Sequence, residues 1–219
     1  MSTAAILPVK SFDDAKQRLS ADVSGAIRRA LVEAMVSDVL RALRRARLVD
    51  QIYVVSADRQ MPQIAAGHGG HVVDDTATGH SAAAMLGIRR ALSEGADRAL
   101  LVPGDCPLID SGQLDELLSY PVVEPSALII PDRHGTGTNG LLLTPPGALT
   151  PSFGEGSCAR HFDLAIRQGT TPEVVSVQSL ALDIDTAEDL EELRAAFSST
   201  HGGAAYTRGM LNRMMRIGA

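Results

Sequence analysis

The chain has 219 residues, 20 Lys and Arg against 26 Asp and Glu, and a net charge of −6. That length suits one sizeable α/β domain and is marginal for two. The negative balance argues against a protein that coats nucleic acid, yet not against a polyphosphate ligand, whose charge Mg²⁺ and a few local cations offset.

Ala4–Val9 is an apolar run that reads as a first buried strand, and it leads into a polar loop carrying Lys10, Lys16 and Arg18. From Ser24 to Arg47 the apolar positions Ile27, Leu31, Met35, Val39 and Leu43 recur every four residues, which predicts a long amphipathic helix. Its interleaved arginines Arg28, Arg29, Arg41, Arg44 and Arg45 read as a solvated face. Gln51–Ser56 and Gly70–Asp74 are the next two strands. A helix follows to about Ser93, with Ser81 as its N-cap. Arg98-Ala-Leu-Leu-Val102 ends abruptly in Pro103-Gly-Asp-Cys-Pro107, as a fully buried strand bounded by turn residues does. A helix over Ser111–Leu118, strands at Ala127–Ile130 and Asn139–Leu143, and a helix from Ser157 to Gln168 come next. Glu173–Val177 and Leu180–Ile184 are read as late strands, and Ala187–Phe197 as an acidic closing helix. Strands and helices alternate almost throughout, which predicts a mostly parallel central sheet with helices on both faces. The domain is expected to span residues 1–197. Residues 198–219 form a basic, Met-rich tail, read as a terminal helix packed on its own domain or on a partner subunit, so a homodimer stays open.

The two cysteines, Cys106 and Cys158, stand in no metal or redox spacing and read as reduced thiols. No basic segment leads into an apolar leader, and no run reaches membrane-spanning length. A cytoplasmic protein without membrane or nucleic-acid partners is expected.

Four places carry chemistry. Asp105 lies just past a strand's C-terminal end, where open α/β sheets bind ligands. It reads either as a metal ligand, with Gly104 clearing space for a substrate, or as a turn residue. Lys10, Lys16 and Arg18 leave the first strand together and suit the grip of a polyphosphate, though a solvated turn has the same composition. Pro131-Asp-Arg-His-Gly-Thr-Gly-Thr-Asn-Gly140 suits an anion cradle of backbone N–H groups and hydroxyls, or a flexible hairpin. Phe153-Gly-Glu-Gly-Ser157 opens a helix, whose N-terminus is a phosphate site, and Ser157 also reads as the N-cap. Asp183 and Asp185, two apart at an expected strand end, share a face and call for a cation between them; Glu188 and Asp189 read as helix-capping groups. His134 and His161 read as wall residues of the site that hydrogen-bond rather than act as bases. The set fits Mg²⁺-dependent transfer at phosphorus, for which a phosphate nucleophile needs no strong base.

These motifs, in this order from residue 6 to about 190, resemble the 2-phospho-L-lactate and phosphoenolpyruvate guanylyltransferase family of coenzyme F-420 biosynthesis. The resemblance rests on Pro8-Val-Lys10 with Lys16 and Arg18-Leu19, Gly104-Asp-Cys-Pro-Leu108, Asp132-Arg-His-Gly-Thr-Gly-Thr138, Phe153-Gly-Glu-Gly-Ser157, Arg160-His161 and Asp183-Ile-Asp-Thr186. It implies a single GT-A-like nucleotidyltransferase domain that moves GMP from GTP to the phosphate of a small phospho-acid, releasing pyrophosphate. It also implies that Asp105, Asp183 and Asp185 hold Mg²⁺, that Thr138, Gly154 and Ser157 hold the acid, and that Lys10, Lys16 and Arg18 face the nucleotide phosphates. The acid is phosphoenolpyruvate, 2-phospho-L-lactate or 3-phospho-D-glycerate. The rival readings are a nucleotidyltransferase making a molybdopterin dinucleotide or an isoprenoid precursor, and a non-catalytic nucleotide-binding module.

Overall fold

In β1 (Thr3–Pro8) all six residues are buried, and they alternate between two cores: Ala5 and Leu7 enter one, Ala4 and Ile6 the other. A strand buried on both faces reads as an unbroken apolar run, which is why β1 shows no polar alternation in the sequence. β2 (Gln51–Ser56) and β4 (Arg98–Leu101) divide in the same way, with Ile52, Val54 and Leu100 on one side and Tyr53, Val55 and Leu101 on the other. The computed structural model describes residues 1–12, 16, 24–199 and 202–216.

With β3 (His71–Asp74), β5 (Ser126–Pro131), β6 (Thr138–Thr144) and β7 (Thr171–Val174), these strands form one sheet in the order β3-β2-β1-β4-β6-β5-β7. Every neighbouring pair is parallel except the two that involve β6. The expectation of a mostly parallel sheet is met, and the antiparallel exception has a consequence: β6 begins at the edge where β1, β4 and β5 end.

α1 (Gly25–Arg45), α2 (Met61–Gly67), α4 (Ser111–Leu118), α6 (Ala187–Ser199) and α7 (Ala205–Arg216) supply side chains to one core; α3 (His80–Ser93) and α5 (Ser157–Arg167) supply the other. Helices thus cover both faces, as expected. The tail helix α7 docks on its own chain. Leu211 and Met214 enter the core, and the buried Asp38 of α1 accepts from the N–H groups of Tyr206 (3.1 Å) and Thr207 (2.7 Å), doing from a distance what an N-cap does locally. Among the described residues no helix is long and apolar enough to cross a membrane.

Four local readings change. The short helix α2 was not foreseen; it has only 7 residues, too few for a periodic signal. Leu180–Ile184 is not a strand: Gln178–Leu180 form one 3-10 turn, and the segment is tied down by single cross-links rather than a ladder. The residue at the cap of α3 is Gly79, and Ser81 Oγ instead accepts from the N–H of Phe153 at 2.8 Å. Arg29 is no solvated side chain: it pairs with the buried Asp58 at 3.7 Å and lies 5.5 Å from the centre of the Phe12 ring, while Arg44 and Arg45 are exposed as read.

Candidate active site

The chain leaves β1 outward to β2 and β3, then returns to β4 on the other side of β1. Strand order reverses there, and the crevice beyond the carboxyl ends of β1 and β4 is where open sheets bind ligands. A cavity of about 750 Å³ occupies this place, within the size range of small-ligand sites. Lys10, Lys16, Asp105, Thr138, Gly154, Ser157, Asp183 and Asp185 all line it, so one cavity gathers every site residue expected from the sequence except Arg18, which lies outside the described residues.

One wall is charged. Asp105 follows β4, and its backbone carbonyl accepts from the N–H of Ile184 at 3.1 Å, which brings the Asp183–Asp185 segment alongside. Lys16 Nζ donates to both Asp105 and Asp185, at 2.7 Å in the second case. Burial alone would lower the Lys16 pKa, but the two carboxylates outweigh it and raise it, so the ammonium stays charged. Asp183 turns away to Asn139, whose Nδ2 donates to it at 3.0 Å and to the Leu180 carbonyl at 2.9 Å. Burial first, and then the charges of Asp105 and Asp185, raise the Asp183 pKa against the pull of Asn139. Asp183 and Asp185 therefore do not share a strand face. Asp189 is a capping group, as expected, with Thr186 as its counterpart: Asp189 Oδ2 accepts from the N–H groups of Asp185 and Thr186, and Thr186 Oγ1 accepts from the N–H of Asp189. Burial works against ionised Asp189, yet those donors and Arg133 hold its pKa below the usual value. Asp189 thereby fixes the turn that presents Asp185.

Can this wall hold a divalent cation? Among the described residues no three His, Cys, Asp or Glu converge closely enough to hold one; Asp105 and Asp185 converge on Lys16 instead. The donor chemistry nevertheless fits a hard cation: carboxylate oxygens on neighbouring loops, already bridged by a positive charge, with Asp105 Oδ1 buried and without a hydrogen-bond partner among the described residues. A Cβ on Gly104 would meet Val36 Cγ2 at 3.0 Å, so this glycine makes room for α1 rather than for a substrate.

The opposite wall is neutral. Thr138 opens β6, and α5 starts at Ser157 after a turn in which Gly154 and Gly156 take φ of 114° and 68°. Gly156, not Ser157, is the capping residue. Ser157 Oγ donates to Thr138 Oγ1 at 3.1 Å, and His161 Nδ1 lies 3.0 Å from the same oxygen. His161 Nε2 accepts from the N–H of Ser152 at 2.8 Å. The Phe153 ring is packed edge-on between His80 and His161, with centroid distances of 4.8 and 5.1 Å. Burial, aided by Arg160, lowers the His161 pKa to about 4, so it is a neutral hydrogen-bonding residue, as read. His134 is exposed, accepts from Arg133 Nε at 2.9 Å and does not line the cavity.

The Gly-Thr loop departs from its expected role. Its N–H groups do not form an open anion cradle. Asp132 Oδ1 accepts from His134 (3.1 Å) and Thr136 (2.9 Å), and Oδ2 from Gly137 (3.0 Å); the Gly135 N–H goes to the Asp132 carbonyl. A Cβ at Gly137 would lie 2.7 Å from Asp132 Oδ2, so the clamp requires glycine. What this loop offers an anion is the Thr138 hydroxyl at its end. Asn139 and Asp132 are the functional residues that sequence reading missed. The latter stands five residues before Gly137, a spacing that offered a local clue; the former has its partners 41 and 44 residues away and offered none.

Residues 3–217 match the family model described as guanylyl transferase CofC like. A phosphoenolpyruvate guanylyltransferase of Conexibacter woesei is 48% identical over 99% of this chain and 98% of its own. A 2-phospho-L-lactate guanylyltransferase of Methanothermobacter thermautotrophicus is 33% identical over 98% and 92%. A solved nucleotidyl transferase from the same archaeal species shares the fold, with a TM-score of 0.65 at 19% identity, covering 91% of this chain and 99% of its own. The chain, a seven-stranded α/β sheet with helices on both faces, belongs to the guanylyl transferase CofC-like family.

Proposed function

We propose that the chain transfers GMP from GTP to the phosphate of phosphoenolpyruvate, with 2-phospho-L-lactate and 3-phospho-D-glycerate as the other candidate acids, in coenzyme F-420 biosynthesis. The observation that carries this reading is the pairing, in one cavity, of a charged wall suited to a nucleotide triphosphate and a neutral hydroxyl wall suited to a small anion, in a chain 48% identical to a relative named for phosphoenolpyruvate. Lys10 and Lys16 would meet the triphosphate; Thr138, Gly154 and Ser157 would meet the acid. The phosphate oxygen of the acid attacks the α-phosphorus, the bond to the β-phosphate oxygen breaks, and pyrophosphate leaves. That nucleophile is substantially ionised at neutral pH, its second pKa being near 6, so no side chain has to remove a proton. What this chain supplies is alignment and charge balance. Asp105 and Asp185, with Asp183 beside them, would hold Mg²⁺, which neutralises charge on the phosphates. The Lys16 ammonium draws on the same oxygens and balances them until ligands arrive.

The test is an assay of GTP and Mg²⁺ with each of the three acids, with the dinucleotide product read by mass spectrometry. Product from phosphoenolpyruvate in excess over the others supports the reading. Product from another acid alone reassigns the substrate, and no product from any removes the reading.

A further inference from the structure

We infer that His161 is a positioning residue: it fixes the Thr138 hydroxyl as a hydrogen-bond donor toward the acid bound beside it. This rests on the reading that an anionic acid occupies the Thr138–Ser157 wall.

The backbone decides the direction of the chain of bonds. The N–H of Ser152 only donates, so His161 Nε2, 2.8 Å away, must present a lone pair. Burial keeps the ring neutral at neutral pH. A neutral imidazole with a bare Nε2 carries its one proton on Nδ1. Nδ1–H faces Thr138 Oγ1 at 3.0 Å, which must therefore accept. Ser157 Oγ donates to the same oxygen at 3.1 Å. Both lone pairs of Thr138 Oγ1 are then engaged, and its own proton is left for the cavity it lines. Phosphate and carboxylate oxygens accept and do not donate, so this is the one polarity that attracts them. With the opposite tautomer the threonine hydroxyl would donate its hydrogen bond to Nδ1 and turn an oxygen lone pair toward an anion. The edge-on Phe153 ring, 5.1 Å from the imidazole centroid, keeps the ring in its plane. In the Gly-Thr loop the N–H groups of His134, Thr136 and Gly137 are already spent on Asp132, so from that loop it is the hydroxyl's direction that bears on recognition.

Two measurements test it. In the ¹⁵N-labelled wild-type chain, long-range ¹H–¹⁵N correlation should find the His161 proton on Nδ1; an Nε2–H tautomer overturns the inference without recourse to any variant. In kinetics, His161→Gln keeps an oxygen for the Ser152 N–H but removes the donor to Thr138, whereas His161→Asn keeps a donor near Nδ1. Gln should raise the KM for the acid by about tenfold or more while leaving that for GTP within about twofold, and Asn should restore it. Adding His161→Gln to Thr138→Val should change nothing further, because the histidine acts through that hydroxyl. Equal losses in the Gln and Asn variants, or additive losses in the double variant, overturn the inference alone. Absence of product with the wild type removes the functional reading and this inference with it.

Discussion

The two walls of the cavity are held in opposite ways. On the charged wall, Lys16 Nζ pairs with one oxygen each of Asp105 and Asp185, so a ligand that takes up those oxygens must displace the lysine. On the neutral wall, Thr138 is held from behind by Ser157 and by His161, and through the latter by the backbone of Ser152, so its remaining capacity already faces the cavity. A wall of exchangeable ion pairs suits a large charged substrate, whereas a preorganised wall of neutral dipoles suits recognition of a small acid at low reorganisation cost.

The contrast between the walls makes predictions of graded size. The largest effect is expected on the charged wall: Asp105→Asn should cut pyrophosphate release about a hundred- to a thousandfold with an unchanged circular dichroism spectrum, and near-normal turnover would sink the role given to Asp105. Next comes the hinge between the walls. Asn139→Ala leaves the Leu180 carbonyl and Asp183 without their donor, and urea unfolding should register a loss of about 1–3 kcal/mol; no loss would mean that Asn139 does not hold the 180–183 segment. On the neutral wall, Thr138→Ala and Ser157→Ala should each raise the KM for the acid by about tenfold and that for GTP far less. Equal effects on both substrates would erase the division between walls.

The smallest effect is in the pH dependence of stability. The folded-state pKa of His161 is about 4, below its ordinary value of 6.5. Between those values the unfolded chain binds more protons than the folded one, so stability falls as pH drops from about 6.5 toward 4 and is fully present above 6.5. His161→Asn should flatten the change in urea midpoint across that window, and an unchanged slope would show that another group titrates there.

Much of the site was legible because its residues stand at strand ends. Asp105 after Ala99–Val102 and Thr138 before Leu141–Leu143 are polar residues abutting buried apolar runs, and the sheet brings such ends to one edge. The strand expected at Leu180–Ile184 shows where that logic fails. Leu180 and Ile184 are buried, but the carbonyls of Leu180 and Ala181 go to Asn139 Nδ2 and the Arg133 N–H rather than to a neighbouring strand, and an apolar run does not reveal which partners its backbone finds. The loop expected to cradle an anion fails in the same way. Its composition was right for many exposed N–H groups, but a carboxylate at its own start consumes them.

The sequence by itself determined the element pattern, the doubly covered sheet and the residue types gathered at its edge, since hydrophobic period and turn residues act over a few positions. Only the tertiary structure decided pairing and polarity: that β6 runs backwards and so delivers Thr138 to the site, that Lys16 bridges to Asp185 across 169 residues, and that the Ser152 backbone sets which way a threonine proton points. Those outcomes depend on contacts between distant segments, in which a single donor or acceptor is chosen from several of like chemistry, and no local spacing encodes that choice.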